Sequence, residues 1–128
     1  MNNPFIEIHD RLLELSKELG YDTYDYLPED DVPYPFVFVG EMFTLDRPTK
    51  DRTLADASII IHVWNFKEDS RETKEMCFEL SKAFIERSKT AHFNWQVVDR
   101  QGNFIFEKDE LSNSTLSHGI LEFTFKTT

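Results

Sequence analysis

One cysteine, four glycines and no long apolar run are the scarcities of this 128-residue sequence, and each removes a class of protein. Cys77 stands alone, so no internal disulfide forms and nothing points to a secreted, disulfide-stapled scaffold. Gly20, Gly40, Gly102 and Gly119 are too scattered to build a phosphate-cradling loop, and no Gly-x-Ser-x-Gly elbow is present. No apolar stretch reaches the ~18–20 residues that span a bilayer, and the opening Met1-Asn2-Asn3-Pro4-Phe5 lacks a basic region leading into an apolar run, which predicts no signal peptide and no membrane. Positive charge is scarce as well. Fourteen Lys and Arg against twenty-four Asp and Glu give a net charge of -10, which disfavours nonspecific duplex binding because phosphate contacts need a basic surface. Aromatic residues, by contrast, are plentiful: twelve Phe, four Tyr and two Trp. A disordered chain combines high charge with few aromatics, so this one reads as folded, soluble and reduced. Its length fits one domain, residues 1–128, with a core of its own.

Phe5, Ile8, Leu12, Leu15 and Leu19 recur at spacings of three and four, predicting an amphipathic helix from about Pro4 to Gly20. Pro4 suits its first turn and Gly20 the residue just past its end. An acidic connection rich in Asp, Tyr and Pro follows to Pro35. Phe36-Val37-Phe38-Val39-Gly40 then reads as a strand apolar on both faces and at least partly covered on both sides. Met42 to Leu54 is polar and unusually basic, and reads as a loop or exposed hairpin end. Ala57 to Phe66 returns to strand chemistry, with Ala57, Ile59, Ile61 and Val63 on one face and Ser58, Ile60, His62 and Trp64 on the other. Asp69 and Glu72 have capping-box spacing at the start of a second helix, whose buried face is Thr73, Met76, Cys77, Leu80, Ala83 and Phe84 and which ends near Ser88 or Lys89. Three short strands are expected after it: His92–Asp99, Asn103–Phe106 and His118–Lys126, the first two joined by a tight turn at Arg100-Gln101-Gly102-Asn103. The order of helix, two strands, helix, three strands predicts an α+β fold: a mostly antiparallel β-sheet of about five strands with two main helices packed on one face.

Candidate chemistry is thin. The four histidines, His9, His62, His92 and His118, include no pair at the i, i+4 spacing of a zinc protease, and Cys77 has no cysteine partner, so no metal site is expected. His62 and His118 both alternate out of the more apolar face of their strands and are candidates for neighbours across the sheet, though half-exposed strand histidines are the simpler reading. Cys77, on the apolar helix face, reads as inert packing. The carboxylates are scattered over solvated faces, with no pair singled out for acid–base work. No catalytic residues and no cofactor are assigned. Arg47, Lys50, Asp51 and Arg52 are the informative polar stretch: either a contact arm, basic on an otherwise acidic body, or a solvated hairpin tip. Such asymmetry brings copies of one chain together when a basic arm meets an acidic face.

Pro33-Tyr34-Pro35-Phe36-Val37-Phe38-Val39-Gly40-Glu41, the Thr/Lys/Asp/Arg-rich stretch after it, and Ser58-Ile59-Ile60-Ile61-His62-Val63-Trp64 carry a resemblance. Together with a helix opening after Glu68-Asp69-Ser70-Arg71, this arrangement resembles the tail completion proteins of long-tailed bacteriophages and prophages, the tail-terminator or head–tail joining proteins. The element order fits over nearly the whole chain, while the motifs lie within Pro33–Glu41 and Ser58–Trp64. The resemblance implies a non-enzymatic structural protein of the virion, assembled in the host cytoplasm. It implies a homo-oligomeric, typically hexameric ring at the head-proximal end of the tail tube, which terminates the tube and meets the head connector protein. DNA passes through such a lumen without specific binding.

Two other readings compete. One is a different joint: a head-completion or connector protein, or a minor capsid protein. The other, from a different class, is a small-ligand-binding regulatory domain in which Trp64, Phe93, Trp95, Phe104 and Phe106 line an apolar pocket. The residues favour placing these rings in the core between sheet and helices. An enzyme ranks behind both, for want of any motif with a mechanism attached.

Overall fold

The computed structural model describes residues 3–28, 32–48, 53–109 and 114–127. Its elements are α1 (Pro4–Glu18), β1 (Thr23–Tyr24), β2 (Phe36–Pro48), β3 (Thr53–Phe66), a short 3-10 turn (Lys67–Asp69), α2 (Ser70–Arg87), β4 (Trp95–Lys108) and β5 (Thr115–Thr127). The strands form one five-stranded sheet in the order β1-β2-β3-β5-β4, antiparallel throughout except for the short parallel β1–β2 pair. The α+β class, the strand number and the helix packing agree with the sequence reading.

Helix α1 begins where its end groups are satisfied. Asn3 Oδ1 accepts from the Phe5 and Ile6 amides, at 3.0 and 3.3 Å. This cap absorbs two of the donors that a helix start leaves free. At the other end Gly20 takes φ +92°, and the Gly20 and Tyr21 amides donate to the Lys17 and Ser16 carbonyls. This double closure is the Schellman motif, and the left-handed residue in it favours glycine.

Both helices lie on one face of the sheet. Ile8, Leu12 and Leu15 of α1, with Met76, Leu80 and Phe84 of α2, pack on the inward residues of the strands. On β3 these are Ala55, Ala57, Ile59, Ile61 and Val63, all fully buried, as strict alternation requires. The buried face of α2 is the six residues expected from its periodicity.

One expectation left open is decided, and three are corrected. Met42–Leu54, read as a loop or an exposed hairpin end, takes the hairpin form as far as it is described: β2 runs to Pro48 and β3 starts at Thr53, paired from Met42↔Ile59 to Pro48↔Thr53, with residues 49–52 outside the described residues. Cross-strand pairing thus overrides the polar composition of this hairpin arm. The Arg100–Asn103 segment is not a turn. Arg100, Gln101, Gly102 and Asn103 pair with Phe123, Glu122, Leu121 and Ile120, inside a single continuous β4. The three strands expected after α2 are therefore two, and the fifth strand is the short β1. Finally, Asp69 makes no side-chain cap on α2. Glu72 is held instead by the Asn65 side-chain amide at 2.9 Å, which also reaches the Asp69 carbonyl at 3.3 Å, while Asn65 Oδ1 accepts from the Phe66 amide. Asn65 is fully buried, so these bonds meet its hydrogen-bonding needs at the strand-to-helix corner.

Candidate functional site

The face of the sheet opposite the helices carries the most concentrated polar and aromatic chemistry. On β3, Ser58, Ile60, His62 and Trp64 point to this side, and on β5 so do His118, Ile120 and Glu122. His62 pairs with Ile120 and His118 with Trp64, so the two histidines are diagonal neighbours. His62 Nδ1 lies 2.8 Å from His118 Nε2. The juxtaposition suggested by alternation is therefore real, but His118 is buried rather than half-exposed, its side chain only 6% accessible.

Each imidazole meets a carboxylate on its other nitrogen. His62 Nε2 is 3.3 Å from Glu41 Oε1, and His118 Nδ1 is 3.2 Å from Glu107 Oε1. Rings pack around this line. Phe38 stacks near His62, with centroids 5.4 Å apart, and the Trp64 indole lies flat on His118 at 3.7 Å and 12°. Burial holds the His118 imidazole below its ordinary value, Glu107 opposes that shift, and a charge on His62 adds to it.

A bulge aims Glu41. Val39 pairs with Ile61 and Met42 with Ile59, so three steps along β2 face two along β3. Without the extra residue Glu41 would follow Val39 and point into the core. With it, the carboxylate emerges beside His62. Gly40 is fitted to the same place: a Cβ there would stand 3.1 Å from the His62 ring, 3.2 Å from the Ile60 carbonyl oxygen and 3.2 Å from Phe38.

The second feature is the outer edge of β4. This strand pairs on one side only, with β5, which leaves a 14-residue edge. Its Phe104 and Phe106 are exposed, as is Phe78 on the neighbouring helix α2 (67% accessible). Between α2 and β4 lies a groove of about 480 Å³ walled by Phe78, Phe104 and Leu121, with Lys74 and Arg100 at its rim. The reading of the five rings as core holds for Trp95 and Phe93 only. Trp64 lies on the helix-free face, and Phe104 and Phe106 are solvent-facing on an edge strand.

Cys77 is buried, and its thiol is pushed up to about 12 by that burial, as expected of packing rather than chemistry. Among the described residues no three His, Cys, Asp or Glu side chains are grouped to hold a metal ion. No described helix is long and apolar enough to cross a membrane. Of the predicted contact arm, Lys50, Asp51 and Arg52 lie outside the described residues, and so does the side chain of Arg47, whose backbone pairs with Leu54. The residues missed in the sequence are Glu41, Glu107 and Asn65. Only the Gly40-Glu41 step, a glycine inside a strand pattern, offered a signal for one of them.

No family model and no curated protein sequence matches the chain. Among solved structures, the fold is similar to that of a chain in the virion of a native gene transfer agent particle, with a TM-score of 0.63 and 16% sequence identity. The similarity covers 95% of this chain and 92% of that one, so the two share an architecture from end to end.

Proposed function

We propose that this chain is a structural component of a phage-like virion, a tail-completion protein that forms a ring at the head-proximal end of the tail tube. The observation that carries the reading is the end-to-end likeness of its fold to a virion chain. The edge of β4 supports it. A long open edge with exposed aromatic side chains invites pairing with another chain, and single-chain soluble proteins usually blunt such edges. A head-to-tail contact repeated through a closing rotation gives a ring. In this reading Arg47, Lys50, Asp51 and Arg52 are the arm that reaches a neighbouring subunit or the tail tube. The net charge of -10 suits a lumen through which DNA passes without being gripped.

Deleting the gene from its parent phage or prophage and imaging the lysate by negative-stain electron microscopy tests the proposal. DNA-filled heads lying apart from tails of normal or overgrown length are expected, and overgrown tails assign tube termination as well. Heads that have lost their DNA would move the protein to the connector side of the joint. Intact, infectious particles would refute the virion role. Reversing the charges of Arg47, Lys50 and Arg52 should abolish ring assembly while the monomer stays folded. Rings that form normally would return the arm to a solvated hairpin tip.

A further inference from the structure

Four titratable side chains, one from each long strand, form an unbroken line on the helix-free face: Glu41 on β2, His62 on β3, His118 on β5 and Glu107 on β4. Counting protons along it gives a definite result. A carboxylate only accepts, and a nitrogen-to-nitrogen contact at 2.8 Å needs one N–H between the rings. Three contacts therefore need three protons. Two neutral imidazoles supply only two, so the complete line requires a third.

The rings are placed for a hydrogen bond. Their centroids are 5.0 Å apart with planes 23° from parallel, while the facing nitrogens are 2.8 Å apart. They meet edge to edge, nitrogen lone pair toward nitrogen, rather than face over face. Neutral rings that both donate to their carboxylates would point two lone pairs at each other at this distance. Lone pairs aimed head-on also do not converge on a common point beside the rings, where a metal ion would need them.

We propose that His62 and His118 together hold one titrating proton, and that this proton closes a clasp across the four long strands whose loss releases Glu41 and the bulge at Gly40–Glu41. With the proton present, His62 donates from both nitrogens, to Glu41 and to His118, and His118 donates to Glu107. When it leaves, His62 keeps its hydrogen bond to the buried partner and gives up the exposed carboxylate. Glu41 is the end that opens because this contact is the more accessible of the two, His62 and Glu41 at 15% and 54% against His118 and Glu107 at 6% and 40%, so water replaces its bond first. A second proton is opposed by the burial of His118 and by the charge already on His62.

The surroundings are consistent with one proton. From β2 the pair is faced by Phe38 and Glu41, from β3 by Ile60 and Trp64, from β5 by Ile120, and from β4 by Ile105 and Glu107. Glu122 lies two alternations from His118 along β5, and Asp56 and Lys126 lie farther along the same face. Two carboxylates thus face the pair directly, with no Lys or Arg beside them among the described residues. The inference stands on this geometry and is independent of the proposed virion role.

Nitrogen-15 NMR of the imidazoles of the intact chain, titrated through the ordinary histidine range of roughly pH 5 to 8, reads it directly. The pair is expected to take up one proton, with His118 kept in its Nδ1–H tautomer and a nitrogen–nitrogen coupling between the rings throughout the titration. The Gly40 and Glu41 amide signals should move with the same midpoint. In Glu41→Gln, an exposed and conservative change, the amides should no longer follow, and the midpoint should fall by a few tenths of a unit, the scale of an exposed ion pair. Two independent protonations, or Gly40 and Glu41 amides that ignore the pair in the unaltered chain, would overturn the clasp.

Discussion

Gly119 of β5 lies directly beneath Thr73 and Cys77 of α2, and replacing it tests the packing of that helix on the sheet. A Cβ at this position would stand 2.6 Å from Cys77 Sγ, 3.3 Å from Thr73 Cγ2 and 3.5 Å from Phe104 Cε1. Ordinary carbon contacts are about 3.5–4.0 Å, so the sulfur contact is roughly 1 Å too short. Cys77 is on the buried face of α2 beside Met76 and Leu80 and also borders the groove between α2 and β4, so the clash is relieved either by turning the sulfur toward that groove or by shifting the helix. Gly119→Ala forces one of these shifts, at the overpacking cost of about 1–3 kcal/mol. For a domain of this size that lowers Tm by roughly 4–12 °C. Cys77→Ala alone should cost about 1 kcal/mol for the lost apolar burial. In the double variant the new methyl group occupies the space left by sulfur. The two costs should then fall short of their sum by about 1 kcal/mol or more, as coupled neighbours do. Thermal and urea unfolding followed by circular dichroism measure all four corners of the cycle. A Gly119→Ala variant as stable as the starting chain, or strictly additive costs, would refute the close seating of α2 on Gly119.

Other expectations follow from single contacts. Asn3→Ala removes the cap on α1 and should lower unfolding free energy by about 1 kcal/mol, read from a urea titration. Asn65→Ala leaves the Phe66 amide and Glu72 without their buried partner, and a loss of about 1–3 kcal/mol is expected by the same assay. Cys77 should resist alkylation in the native chain and react only on unfolding, which mass spectrometry after brief treatment with a thiol reagent checks. Because His118 binds its proton less readily folded than unfolded, the unfolded chain takes up more protons as pH falls through the ordinary histidine value near 6.5. Stability should therefore decline on acidification below that value, by at most about 1.4 kcal/mol per pH unit for one proton. His118→Gln should flatten the slope, and an unchanged slope would place its origin in other groups.

The sequence was legible where a residue's environment depends on its own segment. The face of α2 that packs on the sheet, the fully buried alternation of β3 and the Pro4-to-Gly20 span of α1 all follow from periodicity and from the end chemistry of helices. Legibility failed where a partner strand decides. Arg100-Gln101-Gly102-Asn103 has the composition of a turn, yet each residue has a pairing partner on β5, and hydrogen bonding along the ladder outweighs local preference. The polar stretch after Met42 left loop and hairpin undecided for the same reason. The Asp69–Glu72 spacing suggested a cap, but Asn65, seven residues before Glu72, competes for its carboxylate with a better-buried amide.

The site was half legible, and the reason is a matter of parity. Strand alternation put His62 and His118 on one face, because each strand keeps strict register through those residues. Their carboxylate partners come from strands that do not. A one-residue bulge between Val39 and Met42 flips Glu41 from the core side to the histidine side, and another between Val97 and Asp99 resets the facing of β4 before Glu107 is reached. Counting by twos from the apolar residues of Phe36–Val39 sends Glu41 inward, where a carboxylate would be buried without a partner. That contradiction was available in the sequence. A charged residue at an inward position directly after a strand glycine is a reason to insert a bulge. With the bulge inserted, Glu41 falls beside His62, and one end of the proton-linked line follows from sequence and elementary sheet geometry.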